Sequence, residues 1–201
     1  MIRVLIAEDM HMIRGALVAL LSLEDDMQVV AELERGDQIV ATALQTRPDV
    51  AVVDIVLPGV DGLTAAEQLH QRLPECRTLV LTGLGQPGNL LRALQVHVRG
   101  FIVKDAPAET LADGVRRVAR GERVIDSELV AAALETGSTP LTPREADVLR
   151  AAEGGLATQQ IAVRLSLSPA TVRNYLSNAI SKVGGRNRID AIRIARNAGW
   201  L

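Results

Sequence analysis

The stretch Arg3-Val-Leu-Ile-Ala-Glu8-Asp9 is the first of four short apolar runs that end in polar residues. The other three are Val50-Ala-Val-Val-Asp54, Thr78-Leu-Val-Leu-Thr82 and Gly100-Phe-Ile-Val-Lys104. Runs of this length, rich in branched apolar side chains, are typical of strands buried on both faces. Because amphipathic helical stretches separate the runs, the pattern predicts a parallel sheet with helices on both sides. In such a sheet the carboxyl ends of the strands meet at one edge, where ligands bind.

The first part of the chain is predicted to be an α/β domain of five β-α units with a five-stranded, parallel, doubly wound sheet. Pro48, Pro74 and Pro107 mark boundaries between units, because proline disrupts the interior of a helix. The strands are expected near residues 2–7, 27–31, 49–53, 77–81 and 100–103, and the helices near 11–22, 35–46, 61–72, 87–97 and 107–120.

After Gly121 the pattern changes to helical periodicity, which predicts a second, small all-α domain. The polar segment Thr136-Gly137-Ser138-Thr139-Pro140 indicates a linker. We therefore divide the chain into residues 1–121, a linker at 122–140 with a short helix near 126–136, and a helical domain at 141–201. Four helices are expected in that domain, near residues 142–153, 158–166, 168–182 and 187–198. The tight turn between the second and third helices predicts a helix-turn-helix.

The two predicted domains differ in charge. Residues 141–201 contain nine basic and four acidic side chains, a net charge of +5, whereas the other 140 residues have a net charge of −7. A basic domain beside an acidic one indicates that the second domain faces a polyanion. There is no apolar run of about 18 residues to span a membrane. With no signal peptide and one cysteine, Cys76, which we expect to be a buried small hydrophobe, the sequence predicts a cytoplasmic protein without membrane insertion.

The polar residues at the strand ends suit the transfer of a phosphoryl group. Asp54 follows the middle strand, and a carboxylate there can attack a phosphoryl donor to form an acyl phosphate. Since one anion must approach another, the reaction needs Mg²⁺, which Glu8 and Asp9 are placed to bind. Thr82 and Lys104 can each contact a phosphoryl oxygen. Lys104 is one of only two lysines among 22 basic residues, which indicates a site that requires a compact ammonium group.

Residues 1–121 resemble a two-component receiver domain, which has a flavodoxin-like fold. Glu8-Asp9, Asp54, Thr82 and Lys104 match the acid pair, the phospho-acceptor, the switch hydroxyl and the lysine of that family. The resemblance implies that a sensor histidine kinase phosphorylates Asp54, with Thr82 and Lys104 taking part. It also implies that Asp9 and Asp54 bind Mg²⁺ directly, that Glu8 acts through water, and that the Val56 carbonyl is a third ligand.

Two further positions concern the switch that the resemblance implies. Phe101 matches the switch aromatic of the family, so we expect phosphorylation to act through Thr82 and Phe101 and to drive dimerisation. The end of the fourth helix departs from the family, because Val96-His97-Val98 replaces the usual small-Gly-small turn. Glycine there would supply a positive φ, a conformation that His97 adopts only at some cost. The imidazole of His97 itself is expected to be an ordinary solvated side chain at the C-terminus of a helix, favourable with the helix dipole.

The third helix of the second domain has an apolar stripe and an opposite polar face. Arginine and asparagine can make paired hydrogen bonds to base edges in the major groove of DNA. We therefore expect this face to bind double-stranded DNA, with Arg173 and Asn174 reading bases. The stripe consists of Val172, Leu176, Ile180 and Val183; the polar face of Arg173, Asn174, Ser177, Asn178 and Ser181; and the expected phosphate contacts of Ser168, Thr171, Tyr175 and Lys182.

Residues 141–198 resemble the LuxR-type helix-turn-helix of the NarL/FixJ class of response regulators. Val183-Gly184-Gly185 departs from that pattern and removes one apolar contact. Arg173-Asn174-Tyr175 and the terminal Gly199-Trp200 look most like the DesR branch of the class, which implies membrane-lipid genes as targets. The residues that carry the class resemblance are Leu141-Thr-Pro-Arg-Glu145, Ile161-Ala162, Ser168, Thr171-Val172-Arg173, Lys182-Val183, Asn187-Arg188 and Ala191.

The favoured function is a transcription factor switched by phosphorylation, which is not an enzyme beyond catalysing its own phosphorylation and dephosphorylation. The alternative is an orphan regulator of the same fold that binds DNA without phosphorylation, although the complete acid set with Thr82 and Lys104 argues against it. An aspartate-nucleophile phosphatase would need a second carboxylate two residues after Asp54, where Val56 stands. A dinucleotide-binding enzyme would need Gly-x-Gly-x-x-Gly after the first strand, where Glu8-Asp-Met-His11 stands.

Overall fold

The structure, a computed structural model, describes residues 1–83, 87–125, 130 and 139–201. Contacts among residues divide the chain into two compact units, an α/β unit and a helical unit. The predicted short helix near 126–136 lies outside the described residues except at position 130, and so does most of the predicted linker segment 136–140. The domain limits at 121 and 141 therefore stay predictions. Within the described ranges, none of the helices has the length and apolar character needed to cross a membrane.

The sheet of the α/β unit consists of β1 (Ile2–Ala7), β2 (Met27–Leu33), β3 (Val50–Val53), β4 (Arg77–Thr82), β5 (Gly100–Val103) and β6 (Val124–Ile125). All neighbours pair in parallel, in the order β2-β1-β3-β4-β5-β6. The predicted parallel α/β sheet is confirmed, but its predicted strand number, five, was one too few. The extra strand, β6, has two residues, which is too short to show a strand pattern in the sequence.

Helices cover both faces of this sheet, as predicted for a doubly wound fold. Val4 of β1 packs in one apolar core with Val115, whereas the next residue, Leu5, packs in a second core with Leu69. Consecutive strand residues face opposite sides of the sheet, so both sides must be apolar, which explains the unbroken apolar runs. The helices are α1 (His11–Ser22), α2 (Ile39–Thr46), α3 (Gly62–Arg72), α4 (Pro87–Gln95) and α5 (Ala108–Ala119), with a 3₁₀ turn, Gly36–Gln38, before α2.

The turn after α4 has the unusual backbone that the sequence indicates. His97 has φ of 63°, in the left-handed region that glycine normally occupies. Its imidazole ring lies 4.5 Å, centroid to centroid, from the ring of His70 in the last turn of α3, with a tilt of 30°. The ring contact offsets part of the backbone cost and links the ends of two neighbouring helices.

The helical unit contains α6 (Pro143–Glu153), α7 (Thr158–Leu165), α8 (Pro169–Lys182) and α9 (Arg188–Asn197). Three of these helices begin with polar caps: Thr142 before α6, Ser168 before α8 and Asn187 before α9 each accept a hydrogen bond from a backbone N–H of the first turn. Helices α7 and α8, joined by residues 166–168, form the predicted helix-turn-helix. The prediction of a four-helix domain after an α/β sheet is confirmed.

The glycine pair after α8 has a packing role. A Cβ atom at Gly185 would lie 2.9 Å from the Cα and Cβ atoms of Ala191 in α9, closer than side chains approach each other. Gly184 has φ of 69°, which reverses the chain between the two helices. The departure at Val183-Gly184-Gly185 thus replaces a side-chain contact with a close approach of α9 to the turn.

Candidate functional site

Three carboxylates meet at the carboxyl edge of the sheet. Glu8 and Asp9 follow β1, and Asp54 follows β3, the neighbouring strand, whose end is fixed by a 2.9 Å hydrogen bond from Asp54 N to Ala7 O. One side-chain oxygen of each acid lies within 4.8 Å of the others, although the residues are up to 46 positions apart. Glu8 and Asp54 are buried. The structure therefore brings together the acids that the sequence predicts to form one site.

Lys104 joins this acid cluster from the end of β5. Its ammonium group lies 2.6 Å from Glu8 Oε2 and 2.9 Å from Asp54 Oδ2. Partial burial of the amine opposes protonation, but the hydrogen bonds to Glu8 and Asp54 outweigh it and raise the pKa of Lys104 above its ordinary value. The lysine is therefore held in the charged form and fixes the separation of the two carboxylates.

The loop after β3 holds Asp54 from the other side. The backbone N–H of Ile55 donates a 2.7 Å hydrogen bond to Asp54 Oδ1, so both carboxylate oxygens have a donor. Gly62, the first residue of α3, lies so close that a Cβ atom would be 1.9 Å from the Asp54 carbonyl oxygen. Only glycine allows α3 to start at this distance, so the helix fixes the backbone of the candidate phospho-acceptor.

The other predicted site residues of the α/β unit are distributed around the carboxylates. Thr82 is the last residue of β4, next to β3 in the sheet, and its carbonyl accepts a 2.9 Å hydrogen bond from Lys104 N. Phe101 is buried in β5, in register with Val80 of β4. The side chain of Val56 is 55% exposed on the loop after Asp54, and the role of its carbonyl as a metal ligand stays a prediction.

The charges of the site favour a divalent cation. Three carboxylates and one ammonium group leave two uncompensated negative charges in a partly buried cluster. Carboxylate oxygens are the protein ligands that Mg²⁺ prefers, and a divalent ion would balance the remaining charge. The acids present therefore fit the predicted metal.

Arg14, a residue that the sequence does not single out, holds the loop after β1 that carries Glu8 and Asp9. This nearly buried residue of α1 donates a 2.7 Å hydrogen bond to the Glu8 carbonyl oxygen and a 2.8 Å bond to Glu34 beyond β2. His11 Nδ1 lies 2.7 Å from the same guanidinium and must accept, because arginine has no acceptor. Within α1, Arg14 looks like an ordinary polar position, so only its contacts reveal that it holds the loop.

Arg92 is a second residue that the sequence analysis did not select. Arg92 of α4 lies 2.9 Å from Asp61, the N-cap of α3, and donates a 2.7 Å hydrogen bond to Thr64 Oγ1. Partial burial opposes ionisation of Asp61, but the bonds from Thr64 and Arg92 outweigh it and lower the pKa of the carboxyl. Together with the His70–His97 contact, this ion pair fixes α4 to α3.

The predicted polar face of α8 is exposed to solvent. Arg173, Asn174, Ser177 and Asn178 are exposed, and none of them has a side-chain hydrogen bond or ion pair within the described residues. Val172 and three other residues of the opposite side are buried in the core of the helical unit. Those three are Leu176, Ala179 and Val183, and the predicted stripe residue Ile180 is partly buried against the same core.

The predicted phosphate contacts of α8 have partners inside the unit in three of four cases. Ser168 Oγ accepts a 3.1 Å hydrogen bond from Thr171 N and lies 2.8 Å from Thr171 Oγ1. The Lys182 ammonium lies 2.7 Å from Oε2 of Glu145, a buried carboxylate in the first turn of α6. Tyr175 is half-buried against the core. Lys182 therefore ties the end of α8 to the start of α6.

Comparison with known families identifies the chain. Residues 4–116 match the response regulator receiver domain, and residues 139–195 match the bacterial regulatory proteins of the luxR family. The chain is a two-component response regulator of the NarL/FixJ class. The transcriptional regulatory protein DesR of Bacillus subtilis is 42% identical over 201 residues, with complete coverage of both chains. The response regulator RamR of Streptomyces coelicolor is 42% identical over 202 residues, covering 100% of this chain and 98% of RamR.

Solved structures show the same fold in a distant regulator. The response regulator RcsB in complex with DNA has a TM-score of 0.70 at 23% identity, and the alignment covers 98% of each chain. A second structure, of two RcsB dimers bound to two parallel DNAs, has the same TM-score and coverage. This response regulator therefore combines a receiver with a LuxR-type DNA-binding domain and acts as a transcriptional regulator.

Proposed function

We propose that a sensor histidine kinase transfers a phosphoryl group to Asp54. A carboxylate oxygen of Asp54 attacks phosphorus while the bond from phosphorus to the donor imidazole nitrogen breaks, and the electron pair leaves with that nitrogen. The observation that supports this proposal is the Lys104 ammonium group shared between Glu8 and Asp54. As negative charge moves from the carboxylate to the phosphoryl group, a cation in that position can leave a carboxylate oxygen and bind a phosphoryl oxygen instead.

The acid cluster is proposed to hold Mg²⁺ for this reaction. Asp9, Asp54 and the Val56 carbonyl are the proposed direct ligands, and Glu8 is proposed to act through water. When bound, the ion supplies positive charge that offsets the approach of one anion to another. Thr82 and Lys104 are proposed to contact the phosphoryl oxygens. Phe101, which is buried in β5, is proposed to couple phosphorylation of Asp54 to a change in the conformation of the receiver.

The proposed output is dimerisation followed by binding to DNA. RcsB binds DNA as dimers, and for this regulator we propose two half-sites about one helical turn apart. Arg173 and Asn174 are proposed to read bases with help from Ser177 and Asn178. Ser168, Thr171, Tyr175 and Lys182 are proposed to contact the phosphate backbone. The resemblance to the DesR branch makes membrane-lipid genes the proposed targets.

Phosphotransfer from acetyl phosphate in the presence of Mg²⁺ tests the assignment of the acceptor. We expect Asp54→Ala to abolish labelling and Asp9→Ala to reduce it strongly, because Asp9 holds the metal. Asp113→Ala, which removes an exposed carboxylate of α5, is the control and should label as wild type. Undiminished labelling of Asp54→Ala would contradict the proposal.

Sedimentation and DNA titration test the output. The phosphoryl analogue beryllofluoride should convert monomer to dimer and increase the affinity for DNA. A protein that labels normally on Asp54, yet sediments and binds DNA identically with and without the analogue, would favour the alternative of phosphorylation-independent binding.

A further inference from the structure

In the described structure, some of the basic side chains of the helical unit form ion pairs with acidic side chains, and others do not. Residues 141–201 contain nine cations and four acids, and every one of these acids has a cationic partner within the described residues. The pairs, with their distances, are Glu145–Lys182 (2.7 Å), Asp147–Arg150 (3.3 Å), Glu153–Arg196 (3.0 Å), and Asp190 with Arg193 (2.8 Å) and Arg186 (3.2 Å).

Four arginines have no acidic partner in the described ranges after this pairing, and one of them, Arg188, has a backbone partner. Arg188 donates a 2.7 Å hydrogen bond to the Ala152 carbonyl oxygen and so closes the end of α6. In the part of the chain that the structure describes, Arg144, Arg164 and Arg173 have neither a carboxylate nor a carbonyl partner, and all three are exposed. The positive charges at these three positions are therefore the ones that an external anion can bind most readily.

The three arginines lie on the recognition helix α8 or on the two helices, α6 and α7, that pack against it. Arg164 lies in the last turn of α7, four residues before the N-cap Ser168. Arg173 lies in the first half of α8. Arg144 precedes Glu145, whose carboxylate binds Lys182 at the far end of α8. A helix of 14 residues is about 21 Å long, so the outer two arginines are placed to reach phosphates on opposite sides of a groove that the helix enters.

We propose that Arg144 and Arg164 neutralise DNA phosphates at the two ends of α8. The inference rests on DNA binding by the helix-turn-helix and goes beyond it by assigning the electrostatic contacts. Guanidinium groups without an internal partner can bind phosphate oxygens through two parallel hydrogen bonds. Lys182 can still donate a hydrogen bond to DNA, but Glu145 already balances its charge, so it releases fewer counterions on binding.

The test is a salt titration of the full-length protein on a fluorescent duplex of about 30 base pairs and random sequence. Each neutralised phosphate contributes roughly 0.9 to the slope of log affinity against log salt. We expect Arg144→Ala and Arg164→Ala each to lower that slope by about one, which is roughly a threefold to fourfold change in relative affinity between 50 and 200 mM salt. Arg164→Lys, which keeps the charge, should retain the slope.

Arg193→Ala is the matched control, because Arg193 is exposed but paired with Asp190. It should leave the slope unchanged, and thermal melts should show that every variant compared is folded. Equal slopes for wild type and both arginine variants, or a loss for Lys182→Ala alone, would overturn the assignment while leaving DNA binding intact. Binding of wild type that does not depend on salt would instead contradict DNA binding through phosphate contacts altogether.

Discussion

The pocket formed by the acid cluster of Glu8, Asp9 and Asp54 differs from the polar face of α8 in how many of its polar groups are hydrogen-bonded within the protein. In the pocket, Lys104 bridges Glu8 and Asp54, and backbone amides complete the set. On α8, Arg173 and Asn174 make no side-chain hydrogen bond within the described residues. A closed network holds charges at fixed distances, which suits chemistry on a small group. Open donors and acceptors keep their capacity for an external partner, which suits the reading of base edges.

Residues of the phosphorylation site and residues of the DNA-binding face thus differ in whether their polar groups are already bonded within the protein. A substitution in the closed network should change stability or the chemistry of the pocket. A substitution on the open face should change binding to DNA and leave the fold intact. Lys182 lies between the two, because it belongs to the recognition helix but contacts a buried carboxylate.

The largest effect is expected on the open face. Arg173→Ala or Asn174→Ala should weaken operator binding by about 1–3 kcal/mol and relax the preference at one base position. The unfolding temperature should stay unchanged, because neither side chain has a partner to lose among the described residues. Titration of operator and scrambled duplexes, together with thermal melts, checks both expectations. Equal weakening on both duplexes would show that these side chains contact backbone and do not read bases.

The Glu145–Lys182 pair should contribute to the stability of the helical unit. Glu145→Gln should lower the free energy of unfolding by about 1–2 kcal/mol at pH 7. This value lies between those of exposed and buried ion pairs, because Glu145 is buried while Lys182 is partly exposed. Burial opposes ionisation, but the bonds from Lys182 and Thr142 outweigh it, and the pKa of Glu145 is lowered. Its contribution is therefore complete above the ordinary glutamate pKa of about 4.3 and is lost as the pH falls through the lower folded value.

Urea unfolding of wild type and Glu145→Gln between pH 3 and 7 measures this difference. The two curves should converge as the acid range is reached. A constant difference across the range would show that the variant acts through packing rather than through charge.

The closed pocket should discriminate between two cations of equal charge. Lys104→Arg should reduce phosphorylation-dependent activation about tenfold, because the guanidinium is larger than the ammonium held between Glu8 and Asp54. Lys182→Arg is the matched control, because this second lysine is 39% exposed and has room for the larger group. Dimerisation with beryllofluoride provides the measurement, because it does not involve the DNA contacts proposed for Lys182. Normal activation of Lys104→Arg would remove the argument for a compact cation.

Arg14 should act on the metal site through the backbone of Glu8. Arg14→Gln is expected to weaken the binding of Mg²⁺ or Mn²⁺ by roughly tenfold, at the lower limit for groups that orient metal ligands, because Arg14 contacts the backbone of Glu8 and not its carboxylate. Arg116→Gln removes an arginine that pairs with Glu24 and Asp26 away from the pocket, so it should lower stability without changing metal affinity. Calorimetric titration with the metal separates the two. Equal metal affinity for both variants would limit Arg14 to a role in folding.

The smallest effect is expected at the turn after α4. His97→Gly should change stability by less than about 0.5 kcal/mol, because relief of the left-handed backbone offsets the lost ring contact. His97→Ala retains the backbone cost and loses the ring, so it should destabilise the protein by about 1 kcal/mol. Urea unfolding of the two variants compares them directly. Equal losses would show that the His70 contact, and not the backbone, determines stability at this turn.

Much of the fold and the acid cluster could be predicted from local patterns. Buried parallel strands produce apolar runs, and their carboxyl ends must converge, so Glu8, Asp54 and Lys104 could be placed together without coordinates. Helix starts such as Thr142-Pro143 carry their own signal, since the cap and the first turn are adjacent in sequence.

The contacts that could not be predicted are those between distant helices and loops. Glu145 and Lys182 are separated by 37 positions, and no periodicity relates them. Arg14 and Arg92 reach partners on other elements, and those approaches depend on how the helices pack against each other. These same contacts show that Lys182 binds a carboxylate, whereas Arg164 has no such partner in the part of the chain that the structure describes.

The two lysines of the chain give a practical means to follow both halves of the switch. Lys104 lies in the α/β unit and Lys182 in the helical unit, and each donates to a buried glutamate. A protein labelled with ¹⁵N only at lysine should therefore give two backbone amide signals, one beside the acid pocket and one at the end of the recognition helix. Lys104→Arg assigns both signals at once, and the intact regulator can then report on each unit separately during activation.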